Sequence, residues 1–507
     1  MNISGLLEQN ARKYGGHEAI VDGTQRISYK ELDFQVNRLS FSLMENGFKK
    51  GDRAIIFMPN TASFIIAYFA CIRAGGIVVP LNAKLTKREF EEILQHSGAA
   101  AVFSHETLWH GIKDVNSADL RLKIKTGQHA EGWSSIEDLT SGDVNRDVFC
   151  SLKEDDDAAL LYTSGTTGKP KGVLLTHRNV LNAAMMMCLE VSFKPESRIL
   201  HMMPLSHSAP LNLFLAAGTL VGAAHIVCPA FHPEEFLHLV ENEKITHFFG
   251  APIAYLLAAK SQSILNCNLS SIQYWVYGGA PLSRKEVEYL KGQFRTENFV
   301  CVYGLTEAGP SGTLLTAEEH RSKPGSIGRR AAFGTEIRLV DENGFDVREG
   351  EIGEIVLSGE SIMKGYFTEE EKTKDIIRNG WLLTGDLARR DQDGYYWIVD
   401  RKKDMIITGG VNVYPKEIED LLVQHPDISE AAIVGVPHPE WGETVKAFIV
   451  TKKPIKDLEE ECKRFLSDEL AAYKIPKLYE AIDQLPRNAA GKILKQQLKK
   501  GNITIVQ

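Results

Sequence analysis

The feature that most restricts the fold is an alternation of short apolar runs with longer helical stretches. Ser28-Tyr29-Lys30-Glu31 has the pattern of a helix capping box, and the apolar run over 53–58 reads as a strand. Residues 61–73 are apolar and of helical length, 76–81 read as a second strand, 86–95 as a polar-faced helix and 100–104 as a third strand. Strands joined through helices predict an α/β fold with parallel-rich sheets covered by helices. After a weakly patterned stretch, 105–155, the alternation resumes. Strands are expected at 198–205, 225–229, 246–250, 272–277 and 299–303, and helices at 233–243, 252–260 and 283–292. Several of these strands end in Gly or Pro, at the carboxyl ends where parallel sheets hold their ligands. From about Gly334 short strands at 337–340, 354–357 and 394–399, joined by Asn-Gly and Asp-Gly turns, predict a β-rich, partly antiparallel section. The charged run Asp400-Arg401-Lys402-Lys403-Asp404 marks a boundary. The expected organisation is a large domain over 1–399, β-rich at about 334–399, and a small α/β domain over 400–507.

Within this frame, Tyr162-Thr163-Ser164-Gly165-Thr166-Thr167-Gly168-Lys169-Pro170-Lys171-Gly172 follows the apolar run Ala158-Ala159-Leu160-Leu161 and precedes Val173-Leu174-Leu175. A glycine-rich loop leaving a buried strand turns backbone N–H groups toward an anion, and Ser, Thr and Lys add donors and charge. Phosphate is the expected ligand. The loop is not a Walker A loop, which places four residues between its glycines and ends in Lys-Ser/Thr. Here two residues separate Gly165 from Gly168, and Pro170, which has no N–H to give, follows Lys169. A mobile linker would need neither the lysines nor the buried strand.

The chain has 507 residues, enough for more than one domain, and its net charge of −8 argues against general nucleic-acid binding. Seven cysteines without a CxxC pair, mostly in apolar runs, predict reduced core residues and a reducing compartment; Cys and His show no metal-ligand spacing. The first residues lack the basic start and apolar run of a signal peptide. The most apolar stretch, 211–230, is interrupted by Asn212, Gly218, Gly222 and His225, so it predicts a buried helix plus strand rather than a membrane span. A cytoplasmic protein is expected.

Five motifs in order carry a resemblance. The loop at 162–172, Tyr303-Gly304-Leu305-Thr306-Glu307, Thr384-Gly385-Asp386, Asp400-Arg401-Lys402-Lys403-Asp404 and Pro486-Arg487-Asn488-Ala489-Ala490-Gly491-Lys492 together resemble the adenylate-forming superfamily, which holds the acyl-CoA synthetases. The resemblance implies ATP, Mg²⁺ and coenzyme A, a carboxylic acid as substrate, acyl-AMP as intermediate and pyrophosphate as product. Two anions react, so the site must neutralise charge and align them. By resemblance, Thr163, Ser164, Gly165, Thr166, Thr167, Gly168 and Lys171 hold phosphates and Glu307 is the Mg²⁺ ligand. Tyr303 stacks on adenine, Thr306 contacts phosphate, Asp386 takes the ribose hydroxyls, and Arg401 contacts ribose or phosphate. Lys492 bridges the substrate carboxylate and the α-phosphate, whereas Lys495, Lys499 and Lys500 read as a solvated face. The small domain swings about Lys403, and Gly409-Gly410 meets the pantetheine arm of CoA.

By the same resemblance the acid pocket is expected at His207, in Pro204-Leu205-Ser206-His207-Ser208, at Gly278 and Gly279, and at Ala308 and Gly309, with Gly279 and Ala280 also packing against adenine. No acid follows an aromatic residue near 206–207, which disfavours an α-amino acid, and no Arg in 278–281 or 308–310 awaits a second carboxylate. Small and apolar lining favours a medium- or long-chain fatty acid, with an aryl or other small acid as the alternative. No carrier module follows Gln507, so a diffusible thiol is the expected acceptor. The resemblance leaves room for peripheral membrane contact through a fatty substrate and for a homodimer. A nucleotide-binding protein without catalysis would be expected to lose Glu307 or Lys492, and both are present.

Overall fold

The computed structural model describes residues 2–141, 148, 150–163, 171–487 and 493–499. The chain divides into two compact units, one of residues 1–337 and 356–383, the other of 338–355 and 384–507. Residues 384–399 therefore group with the C-terminal residues, although the boundary expected from sequence lies at 400; a compact unit in one pose and a pivot of motion are different properties.

The larger unit is built on two sheets. A nine-stranded sheet runs Arg330–Ala331, Thr313–Leu315, Phe299–Tyr303, Tyr274–Gly278, His247–Gly250, Arg198–His201, Ala224–Val227, Glu18–Asp22, Gln25–Ser28. Its central strands, from Phe299–Tyr303 to Glu18–Asp22, pair in parallel. An eight-stranded sheet runs Gly365–Tyr366, Lys171–Thr176, Asp157–Thr163, Ile77–Leu81, Arg53–Phe57, Ala101–Ser104, Leu122–Lys125, Ser134–Ser135. The α/β class and parallel-rich sheets match the sequence expectation.

Local chemistry explains the elements. Ser28 caps Tyr29–Glu45 with its hydroxyl on the Glu31 amide while the Glu31 carboxylate returns to the Ser28 amide, and Thr86 with Glu89 repeats the device on Lys87–Ser97. Ala62–Arg73, capped by Thr61, buries eleven of its twelve residues, which a helix apolar all round must do. The strand expected over 198–205 stops at His201. Pro204 cannot continue a ladder, and Asn60 takes over the backbone there: its amide donates to the carbonyls of His201 (3.1 Å) and Met203 (2.9 Å) and its oxygen accepts from Leu205 N (2.9 Å). The interrupted stretch 211–230 is a π-helical segment Ala209–Ala216, a short helix Ala217–Val221 and the buried strand Ala224–Val227. Among the described residues no helix is long and apolar enough to cross a membrane. All seven cysteines are free, five of them buried.

In the smaller unit, Ile428–His438 and Gly442–Thr451 form a long antiparallel pair, extended by Ile406–Thr408, Val411–Val413 and Leu478–Ala481. The helices Pro415–Leu422 and Leu458–Ser467 lay Ile418, Leu422, Cys462 and Leu466 into one core with Ile433, Ala447 and Ile449.

Candidate active site

The glycine-rich loop joins the two strands of an antiparallel hairpin. Asp157–Thr163 pairs with Lys171–Thr176, and Thr163 opposite Lys171 is the last pair. A Walker loop connects a strand to a helix, so the hairpin is a second reason to set that reading aside. Ser164, Gly165, Thr166, Thr167 and Gly168 lie outside the described residues. Thr163 and Lys171 are thus fixed at the mouth of the hairpin. Gly172 packs closely, and a Cβ there would lie 2.8 Å from Leu160 Cδ1.

Phe299–Tyr303 delivers the second motif to the carboxyl end of the parallel strands. Gly304 passes so close to Pro310 that a Cβ would lie 1.9 Å from its carbonyl oxygen, and a 3₁₀ turn, Thr306–Ala308, follows. Glu307 is half-buried; its Oε1 accepts the Tyr366 hydroxyl at 2.9 Å and its carbonyl accepts Met363 N at 2.9 Å. No described residue donates to Glu307 Oε2. A carboxylate with one oxygen steadied by a neutral donor fits Mg²⁺, which keeps most of its shell as phosphate and water oxygens. Burial and the Glu307 charge both push the Tyr366 hydroxyl pKa upward, so it stays a donor. Lys171 Nζ stands 5.0 Å from the centre of the Tyr366 ring, within cation–π range.

The acid-side residues meet the same turn. Ser208 Oγ and Thr306 Oγ1 are 3.1 Å apart, and Asn212, on the π-helical segment, donates to the Gly309 carbonyl at 3.3 Å. His207 lies next to Ser208, its Nε2 3.3 Å from Asn82 Nδ2. An amide nitrogen only donates, so Nε2 accepts and the ring proton sits on Nδ1. Burial lowers the His207 pKa, and the imidazole is neutral. Gly278 ends its strand opposite Val302; a Cβ on it would lie 2.7 Å from the Val302 carbonyl oxygen and 3.3 Å from the half-buried Phe249 ring. Phe249 packs on Phe214 with ring centres 5.2 Å apart. Gly279 follows at φ +83°, a left-handed conformation suited to glycine, and exposed Ala280 comes next. Ala308 is fully buried and Gly309 (φ +82°) lies so near Ser361 that a Cβ would meet its carbonyl at 2.3 Å. Within the larger unit, then, Lys171, Tyr366, Glu307, Thr306 and Ser208 form one connected set.

In the smaller unit, buried Asp386 pairs with Arg401 Nε at 3.0 Å, the two standing opposite each other in an antiparallel ladder. Glu354 braces the residues beside them: it accepts the Gly385 amide (3.0 Å) and Lys402 Nζ (2.9 Å). Lys403 is exposed just beyond this ladder. Gly409 and Gly410 (φ +55° and +80°) form the two-residue turn between Ile406–Thr408 and Val411–Val413, a turn that demands positive φ at both positions whatever else it touches.

Lys492 lies outside the described residues, but its flanks are anchored: Arg487 pairs with Glu430 at 2.6 Å and bridges Ile493. One expectation fails here. Lys495 is not part of a solvated face; its Nζ sits 2.7 Å from Glu419 Oε1 with the two side chains 16% and 19% exposed. Burial pushes up the pKa of both Glu419 and Asp400, and Lys495 opposes the shift in each. Lys499 is half-buried and Lys500 lies outside the described residues. Sequence reasoning also passed over Tyr366, Asn60, Asn82 and Glu354, whose partners in these bonds are 31 or more residues distant and leave no local pattern.

The comparisons decide the family. The AMP-binding enzyme model matches residues 7–367, and the AMP-binding enzyme C-terminal domain matches 417–492. The chain belongs to the AMP-binding enzyme family. Among its relatives this AMP-binding enzyme is 36% identical over 483 residues to a feruloyl-CoA synthase of Amycolatopsis sp, covering 95% of each chain. It is 33% identical to a long-chain-fatty-acid–CoA ligase of Bacillus subtilis (strain 168), covering 98% of this chain and 94% of that one. Among solved structures, ATP-bound MatB from Rhodopseudomonas palustris superimposes with a TM-score of 0.89 at 30% identity, covering 99% of both chains.

Proposed function

We propose that this AMP-binding enzyme is an acid–CoA ligase that activates a flat aryl acid, with no charge beyond its carboxylate, through its adenylate. The chain is an acid–thiol ligase that works with ATP, Mg²⁺ and coenzyme A, as the family and its CoA-ligase relatives support. The observation that carries the reading is the Ser208–Thr306 contact: it joins the His207 loop to the Glu307 turn, so an acid seated by His207 adjoins phosphates seated by Thr306 and Lys171. Mg²⁺, held through Glu307, would neutralise phosphate charge. The mouth of the hairpin grips the pyrophosphate end of the nucleotide, Tyr303 and Gly279-Ala280 flank adenine, and Asp386, oriented by Arg401, receives the ribose hydroxyls. Lys492 brings positive charge to the reacting carboxylate. Neutral His207 walls the pocket without adding a charge beside the acid's carboxylate. Lys403 serves as the pivot between the large and small domains, and Gly409-Gly410 lies along the path of the pantetheine arm.

The aryl preference is favoured by the similarity to the feruloyl-CoA synthase of Amycolatopsis sp, and the bare Gly278 backbone beside the half-buried Phe249 ring offers an aromatic wall. A medium- or long-chain fatty acid is the second reading, favoured by the similarity to the Bacillus subtilis ligase. The test is pyrophosphate release across a panel of hydroxycinnamic, benzoic, octanoic, palmitic, malonic and amino acids, followed by thioester formation with CoA. Release should require both ATP and an uncharged-bodied acid, strongest with the aryl members. Silence across the panel would overturn the ligase reading; turnover of palmitate alone would overturn the aryl preference.

A further inference from the structure

The segment 363–367 is tied to two places at once. Met363 N donates to the Glu307 carbonyl (2.9 Å), Lys364 N to the Leu174 carbonyl (3.0 Å) and Phe367 N to the Gly172 carbonyl (2.8 Å). Gly365–Tyr366 adds a short antiparallel edge strand to Lys171–Thr176, with Tyr366 opposite Val173. The same five residues therefore hold the return strand of the glycine-rich hairpin and the turn that carries Glu307. Tyr366 reaches into the gap between them. Its hydroxyl ends on Glu307 Oε1 and its ring lies beneath Lys171 Nζ.

A purely structural tyrosine usually ends on a backbone carbonyl, as Tyr29 does on Ala223 (2.6 Å), Tyr255 on Val276 (2.7 Å) and Tyr289 on Ala259 (3.2 Å). Tyr366 instead ends on a carboxylate that no described lysine or arginine pairs. A hydroxyl on one oxygen limits rotation of the carboxylate and leaves the other oxygen for a cation. Such outer partners tune a ligand without touching the metal. The aromatic face meanwhile offers the lysine ammonium a seat away from the carboxylate, and a Lys171–Glu307 pair would withhold the ammonium from the phosphates and the carboxylate from the cation.

We propose that Tyr366 is a positioning residue that aims Glu307 at the nucleotide-bound cation and seats Lys171 apart from it, an assignment that rests on the acid–CoA ligase reading. The two halves of the side chain do separable work. Tyr366→Phe keeps the ring and removes the hydroxyl; Tyr366→Leu removes both.

The test uses the full chain with Mn²⁺ as the probe. Mn²⁺ binding to the enzyme with a non-hydrolysable ATP analogue is followed by electron paramagnetic resonance, alongside the Mg²⁺ dependence of pyrophosphate release. Tyr366→Phe should weaken Mn²⁺ binding and raise the half-saturating Mg²⁺ by about 10-fold, with the KM for the acid unchanged and kcat recovering at high Mg²⁺. Tyr366→Leu should add a rise in the KM for ATP that high Mg²⁺ does not recover. Melting temperatures of both variants without ligand report whether folding is intact, and Tyr366→His, which restores a donor, should recover part of the Mn²⁺ affinity. Wild-type Mn²⁺ affinity and Mg²⁺ dependence in folded Tyr366→Phe would overturn the assignment. A wild-type enzyme inactive on every acid would overturn the ligase reading instead, and the Mn²⁺ titration would still decide whether Tyr366 positions the cation ligand.

Discussion

Replacing Lys495 by Met removes the ammonium 2.7 Å from Glu419 Oε1 while keeping a chain of similar length. Glu419 keeps the Ile433 amide, which donates to Oε1 at 2.7 Å, but loses its cation. Asp400 keeps the Arg401 and Lys416 amides and loses the same stabilising charge. The carboxylate escapes an unpaired buried charge by taking up a proton. For a carboxyl with an ordinary pKa of about 4.3, that costs at most about 4 kcal/mol at pH 7.5 and about 1 kcal/mol at pH 5. Water reaches both side chains in part, so the expected loss at pH 7.5 is about 2–3 kcal/mol, below the range for breaking a fully buried pair. The sign follows from linkage. The folded-state pKa of Glu419 is already raised by burial and rises further without Lys495. The penalty is therefore present above the unfolded-state pKa and disappears as pH falls through it. Hydrogen exchange of the Ile428–His438 strand, against urea at pH 7.5 and pH 5, measures the loss. A penalty that is equal at both pH values, or below about 0.5 kcal/mol at pH 7.5, would refute the reasoning. Glu419→Gln placed on the Lys495→Met background should restore most of the stability, since a neutral amide needs no counter-charge.

Three further outcomes are expected. Lys492→Ala should abolish adenylate formation and leave CoA transfer from supplied acyl-AMP largely intact; equal loss of both half-reactions argues against a swinging small domain. Asp386→Asn should weaken AMP binding about 10-fold or more in a calorimetric titration, because an amide cannot accept two hydroxyls as a carboxylate does. It should move the melting temperature little, since the lost Arg401 partner is 39% exposed. Gly278→Ala forces a Cβ to 2.7 Å from the Val302 carbonyl and 3.3 Å from Phe249, a crowding worth about 1–3 kcal/mol. It should raise the KM for aryl acids more than that for ATP; an unchanged acid KM would remove Gly278 from the pocket.

What the sequence disclosed was local. The capping box at Ser28, the helices expected at 61–73 and 86–95 and most of the apolar strands appear within a residue or two of expectation, because each is written in a window of a few residues. The early end of the strand at His201 was hidden because Asn60, 141 residues away, sets it. Tyr366 was invisible for the same reason: the strand pairing that aims it joins segments far apart in the chain. Lys495 was misread because most lysines are solvated, and only the fold reveals that Glu419 faces it. Gly409-Gly410 shows the converse. Its two-residue turn calls for glycine on its own account, and the structure adds this local reason to the role in CoA binding that the resemblance implies.

The division of the chain has a bearing on engineering. The smaller unit takes in residues 338–355, returns the chain to the larger unit for 356–383, and resumes at 384. It is therefore not a cassette that can be lifted out by a single cut. A fragment beginning at 384 would lack Glu354, and with it the acceptor for the Gly385 amide and the Lys402 ammonium; one beginning at 400 would lack Asp386, the partner of Arg401, as well. Grafting the C-terminal part of a relative onto this chain would require the donor's counterpart of 338–355 to travel with it, so that recombination breakpoints come in pairs.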